Sequence, residues 1–117
     1  MLQDEEVAIL SAGGTARAGR IQALLDEMTV EEKVGQLTLV NGTGGWVDDD
    51  LAWAVRSGSA GAVLNEVSVD AVNELQHLAV EESRLGIPLL IGRDVIHGFQ
   101  TIFPIPLGQA ATWDPER

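Results

Sequence analysis

Apolar positions along this chain fall either at helical spacing or in short continuous runs, and the two patterns mark out its elements. From Arg20 to Met28 the apolar residues Ile21, Leu24, Leu25 and Met28 stand at i, i+3, i+4 and i+7, which is one face of a helix. Thr29-Val30-Glu31-Glu32 then spells a capping box. The Thr29 hydroxyl can accept from the Glu32 amide while the Glu32 carboxylate accepts from the Thr29 amide. A second, short helix is expected from Val30 towards Gly35, with Val34 facing inward. Gln36 to Val40 is a β-prone run, closed by Asn41-Gly42-Thr43-Gly44-Gly45, a loop with free access to positive φ. Asp48 to Arg56 reads as a helix with acids in its first turn and Arg56 in its last, both favourable to the helix dipole. Gly61 to Leu64 is a second strand, ended by Asn65. Ser68 is a good N-cap for a longer helix to about Leu85, whose inward face is Val69, Val72, Leu75, Ala79 and the stem of Glu82. Gly86 and Pro88 stop it. Ile87 to Ile91, almost wholly apolar, is a third strand.

Three short apolar strands separated by helices predict an α/β fold with a parallel sheet buried on both faces. Residues 1–19 are acidic and then rich in small side chains, and read as a loosely held arm or linker. The organised part is 20–117. Within it, Val95 to Gly108 is irregular, with Pro104 and Pro106. Ala110 to Arg117 has the signals of an approaching helix, with Thr112 or Asp114 as cap and Pro115 in the first turn. A (β/α)8 barrel needs about 250 residues. Three strands correspond to its first three βα units, truncated, so the chain reads as the N-terminal part of something larger. Such a piece leaves two open sheet edges and an uncovered apolar face, which favour association.

Composition narrows the chemistry. The 117 residues carry 7 Lys+Arg against 18 Asp+Glu, a net charge of −11. That field repels phosphate backbones and anionic bilayers, so neither nucleic acid nor membrane is expected as a partner. No apolar run approaches the ~20 residues of a membrane span. Met1 to Leu10 holds Asp4, Glu5 and Glu6 and no basic residue, unlike a signal peptide, which favours the cytoplasm over the periplasm or secretion. Cysteine is absent and there are two histidines, His77 and His97, so no metal site is expected. The glycine run 42–45 is not a phosphate loop, because no Gly-Lys-Ser/Thr follows and the acids at 48–50 repel phosphate.

In parallel α/β folds ligands meet the carboxyl ends of strands. Those ends are Asn41-Gly42, Asn65-Glu66 and Gly92-Arg93-Asp94. At the third, a buried strand runs straight into two charged residues, which must be solvated in a cleft, paired, or engaged with a ligand. Asp94 is the candidate substrate ligand; its alternative is a turn cap or a pair with Arg93. His97 is expected to support the site from behind by tying backbone together. Trp53 and Trp113 are expected to pack, Trp46 to stand near the cleft, His77 to sit on its helix, and Asp48-Asp49-Asp50 to be a solvated helix start. Glu66 stands at a strand end without a motif.

The segment Ile87-Pro88-Leu89-Leu90-Ile91-Gly92-Arg93-Asp94-Val95-Ile96-His97-Gly98 is followed by Thr101-Ile102-Phe103-Pro104-Ile105-Pro106-Leu107-Gly108 and Thr112-Trp113-Asp114-Pro115-Glu116. Together they resemble the N-terminal barrel domain of glycoside hydrolase family 3, the family of β-glucosidases and exo-acting β-glucanases. Met28 to Leu37 resembles that domain's opening helix, and the blocks stand in the same order at about the same separation. The Asp-x-x-His-Gly form of Asp94 to Gly98 is closer to the glucosidase branch than to the N-acetylglucosaminidase branch. The resemblance implies a TIM-barrel-like fold and no cofactor. It implies retaining hydrolysis of terminal non-reducing β-D-glucosyl residues in a β-glucoside or β-glucan oligosaccharide. It puts Asp94 on the position that accepts hydrogen bonds from the glucose ring. A carboxylate is an acceptor-only group facing two donors of a sugar diol, so the chemistry suits the place.

The family's nucleophile and acid/base belong to later segments, so no catalytic residue is expected within these 117. The partner is then the rest of the enzyme chain or a complementing chain, and this piece alone is expected to be inactive. The rival reading is a non-catalytic sugar-binding or interaction module that keeps part of the barrel. Chain length favours the module and motif content favours the enzyme.

Overall fold

A computed structural model of the chain describes residues 4–116. Helix α1 spans Asp4–Glu27, and α2 spans Val30–Gln36. Strand β1 is Leu39–Asn41, α3 Asp49–Arg56, β2 Ala62–Leu64 and α4 Val69–His77. Strand β3 is Leu90–Gly92 and α5 Pro106–Ala110. The three strands form one parallel sheet in the order β1-β2-β3.

The register puts Val40, Val63 and Ile91 in one row across the sheet. Val63 is fully buried, and with Val40 it packs against Leu51, Ala52 and Val55 of α3 and Leu75 of α4. Leu78, Ala79 and Leu89 complete this cluster. The other face of the sheet carries Leu39 and Leu90, 56% and 75% exposed. The expected burial on both faces therefore holds on one face only. Period-2 alternation sends neighbouring side chains to opposite faces, and α3 and α4 both cover the same one.

Several boundaries differ from the sequence reading. Residues 4–19, read as a loose arm, belong to the single helix α1, which crosses residue 20 without a break. Alanine, leucine, glutamate and arginine there favour helix, and Gly13, Gly14 and Gly19 do not interrupt it. Val34 points to solvent, at 59% exposure, and the buried residue of α2 is Gly35. A Cβ at Gly35 would stand 1.8 Å from the Gly58 carbonyl oxygen, so α2 meets the end of α3 backbone to backbone. Gln36 closes α2 rather than opening β1.

Helix α4 ends eight residues short of the expected Leu85. It passes into a π-helical turn, Leu78–Glu82, and the wider turn buries Leu78 and Ala79 together. The Ser83 hydroxyl donates to the Ala79 carbonyl and accepts from the Gly86 amide, and Ser83 itself is extended. Gly86 has positive φ but lies beyond the helix. Ala71, not the exposed Val69, faces the core. In the irregular segment Pro106 opens the short α5. Beyond it, the Asp114 carboxylate accepts from the Glu116 amide and caps a turn.

The capping box at Thr29 is formed as expected, with Thr29 N–H donating to Glu32 at 2.9 Å and Glu32 N–H to the Thr29 hydroxyl at 3.2 Å. Glu32 has a second duty. Both its oxygens receive the Arg84 guanidinium, the Nε–Oε1 distance being 2.8 Å, and Arg84 also bonds the Glu27 carbonyl. The Arg84 hydrogen bond, followed by the Thr29 amide, holds the Glu32 carboxyl at a pKa of about 2. This pair's contribution to stability is therefore present above the ordinary carboxylate value of 4.5 and lost as pH falls through about 2. Arg84→Ala is expected to return the Glu32 titration towards 4.5, read by carboxyl NMR. A titration that stays near 2 would remove Arg84 as the cause.

Candidate functional site

The carboxyl ends of β1, β2 and β3 converge on one open cleft of about 440 Å³. Its walls are the loop after β1 (Gly42, Thr43, Gly44), the end of β2 (Asn65) and the segment after β3 from Arg93 to Gly98. Parallel register brings these ends level: Asn41, Leu64 and Gly92 are aligned across the sheet. Hydrogen bonds then continue past the strands, from Gly42 N–H to Leu64 O at 2.7 Å and from Asn65 N–H to Gly92 O at 2.8 Å.

Asp94 lines the cleft and is exposed. Its backbone is fixed by Asn65, whose side-chain Oδ1 accepts the Asp94 amide at 3.1 Å. Asn65 takes a left-handed φ of 67°, which asparagine tolerates better than most residues. Arg93 turns away from its neighbour. Its guanidinium lies 4.2 Å above the Phe99 ring and reaches the Asn65 carbonyl at 3.5 Å. Among the described residues the ion pairs are Arg56–Glu82, His77–Glu82 and Arg84–Glu32, so Asp94 and Arg93 do not pair.

His97 also lines the cleft. It holds local backbone through its carbonyl, which accepts from Phe103 N–H at 2.6 Å. The imidazole does not do this: Nδ1 is buried without a hydrogen-bond partner among the described residues. The tight fold-back of this segment depends on Gly98, whose φ is +120° and whose missing Cβ would stand 2.0 Å from the Thr101 carbonyl oxygen.

The other candidates fall outside the cleft. Trp46 follows the glycine loop but does not line it, and is 62% exposed. Trp53 and Trp113, expected to pack, are exposed instead, Trp113 almost completely. His77 stands on α4 with Nε2 3.8 Å from Glu82. Asp48 caps α3 through the Leu51 amide at 2.8 Å. Among the described residues no three His, Asp or Glu side chains group as metal ligands.

The residue that sequence reasoning passed over is Glu66. It is the buried charged residue of the described chain, 3% exposed. One carboxylate oxygen accepts the amides of Val67 and Ser68 at 2.9 and 3.1 Å. The other accepts those of Gly44 and Gly45, both at 3.2 Å. Burial alone would raise its pKa; the four amides outweigh it and the net direction is down. An acid directly after a buried strand, opposite a glycine loop rich in free amides, is the signal that could have found it.

The family described as glycosyl hydrolase family 3, N-terminal domain, matches residues 29–117, beginning at the capping box. A periplasmic beta-glucosidase of Salmonella typhimurium is 36% identical over 99 residues, which is 85% of this chain and 13% of that protein. A lysosomal beta glucosidase of Dictyostelium discoideum is 27% identical over 98% of this chain and 17% of its own length. The chain thus spans less than a fifth of either relative. On the extent of the family match and the identity to the first relative, the chain belongs to glycosyl hydrolase family 3 and carries sequence of its N-terminal domain.

Proposed function

We propose that this chain is the opening of a (β/α)8 barrel in a retaining β-glucosidase, and that Asp94 binds the terminal glucosyl unit. One observation carries the reading: three parallel strands deliver their carboxyl ends to one open cleft, and Asp94 stands in it with its backbone fixed and its carboxylate outside any ion pair among the described residues. Both relatives bear the name of β-glucosidases, which supports a β-glucoside as substrate. Asp94 accepts two sugar hydroxyls, and His97 stands behind it in the same wall. Further barrel strands of the same or a complementing chain pair at the open edges β1 and β3 and enclose the bare face with Leu39 and Leu90. One relative is named periplasmic and the other lysosomal, so the cytoplasmic expectation draws no support from them. Among the described residues no helix is long and apolar enough to cross a membrane.

Retention requires two carboxyl groups about 5–5.5 Å apart, a nucleophile and an acid/base. Asp94 is the acid that lines this cleft. The 117-residue chain by itself is therefore expected to hydrolyse no aryl β-glucoside above background. Turnover by the pure chain, abolished by Asp94→Asn, would overturn this division of labour. The reading as a whole is tested by kcat/KM of the full-length protein and its Asp94→Asn variant, where an unchanged value removes Asp94 from the site.

A further inference from the structure

We infer that Glu66 is a positioning residue of the sugar cleft: its buried carboxylate sets where the Gly42–Gly45 wall stands relative to Asp94. The two oxygens of this carboxylate do different work. Oε1 serves the local turn, taking the amides of Val67 and Ser68 next door. Oε2 reaches back across the sheet to Gly44 and Gly45, 22 and 21 residues earlier. Those two bonds are what tie residues 43–45 to another element among the described residues. The remaining side-chain bond there is local, from the Thr43 hydroxyl to the Trp46 carbonyl.

The loop is shaped to fit this anchor. Gly42 lies so close to Glu66 that a Cβ on it would meet the Glu66 Cβ at 2.8 Å. Gly44 and Gly45 take φ of +86° and +151°, conformations that L side chains rarely adopt. Gly42, Thr43 and Gly44 line the cleft, whereas Glu66 does not. The neighbouring Asn65 meanwhile fixes Asp94 on the opposite wall. Two consecutive residues at the end of β2 thus set the two sides of one cleft, Asn65 the Asp94 side and Glu66 the glycine side. A pyranose bound by Asp94 has its far edge against backbone that Glu66 holds.

Glu66 acts on substrate in this way only if the cleft is the glycone site, so Asp94→Asn serves as the reference. The full-length protein is compared with its Glu66→Gln, Gly44→Ala and Asp94→Asn variants. Each is assayed well below its own thermal midpoint, with 4-nitrophenyl β-D-glucoside as substrate and D-glucose as competitive inhibitor. Glu66→Gln replaces one acceptor oxygen by an NH2 that faces amide donors. It is expected to raise KM and the glucose Ki together by roughly tenfold or more, with a smaller change in kcat. Gly44→Ala strains the same wall with Glu66 intact, its added methyl meeting nothing within 4 Å, and should shift both constants the same way. A purely structural role lowers the thermal midpoint and leaves KM and Ki of the folded protein unchanged; that result overturns the inference. Should Glu66→Gln fail to fold, unchanged constants in Gly44→Ala overturn it equally. If Asp94→Asn keeps wild-type kcat/KM, the glycosidase reading of the cleft has failed. If Asp94→Asn is inactive and the other two variants bind normally, only the role of Glu66 has failed.

Discussion

Asp94→Asn in the full-length protein is expected to lower kcat/KM for β-glucosides by two to four orders of magnitude while leaving the thermal midpoint nearly unchanged. The substitution keeps the shape of the side chain, removes its charge and turns one acceptor into a donor. Hydrogen bonds to a charged group contribute about 1.5–3 kcal/mol each. Two of them, to a sugar diol, correspond to about 10²- to 10⁴-fold at tenfold per 1.36 kcal/mol. The loss should fall on kcat as well as KM, because contacts to the ring strengthen as it distorts towards an oxocarbenium-like transition state. Stability is spared for a structural reason. Asp94 is exposed, and the bond that fixes it runs through its backbone amide to Asn65, which the substitution leaves in place. Parallel measurement of kcat/KM and thermal midpoint separates the outcomes. A midpoint collapse that accounts for the lost activity would make Asp94 a turn residue.

The elements that were legible in the sequence are those whose causes are local. Thr29 and Ser68 each cap the helix that follows, because a cap needs only the next three amides, and Asp48, read as the first residue of its helix, caps it instead. The three strands were legible as short apolar runs between helices, though each is only three residues long. What was not legible depends on partners far along the chain. Val34 looked like the inward residue of α2, but Gly35 meets Gly58 across a gap that no side chain fits. The apolar period runs on towards Leu85, but α4 gives way to a π turn after His77 and the chain turns extended at Ser83, whose hydroxyl bonds the Ala79 carbonyl and the Gly86 amide. Trp53 on its helix and Trp113 before the expected next helix read as packing residues, and tertiary context leaves both in solvent.

The candidate site divides in the same way. Asp94 stands out because a charge directly after an apolar run needs an explanation, and the family resemblance offers one. Periodicity alone would not have separated it from Arg93, which stacks on Phe99 instead. Glu66 follows its strand in the same fashion. Its meaning lies in two amides more than twenty residues earlier, and no pattern in the local sequence carries that distance.

Removing that carboxylate is expected to be among the most destabilising single changes in this segment. Glu66→Ala strips the acceptor from four amides at once, those of Gly44, Gly45, Val67 and Ser68. A buried hydrogen-bonding group left without its partner costs about 1–3 kcal/mol. Water entering the vacated space from the open cleft would keep the cost towards the lower end of that range. The pH dependence identifies the cause. Because the folded pKa of Glu66 is lowered, its contribution is present above the unfolded carboxylate value of 4.5 and is lost as pH falls through the folded value. The gap in thermal midpoint between wild type and Glu66→Ala should therefore be widest near neutrality and narrow below pH 4.5, where the unfolded chain takes up a proton that the folded one resists. Glu66→Ala itself should show a flatter acid limb. A gap that stays constant from neutral pH down through that window would mean that the lost packing of the side chain, and not its charge on four amides, holds the glycine loop against β2.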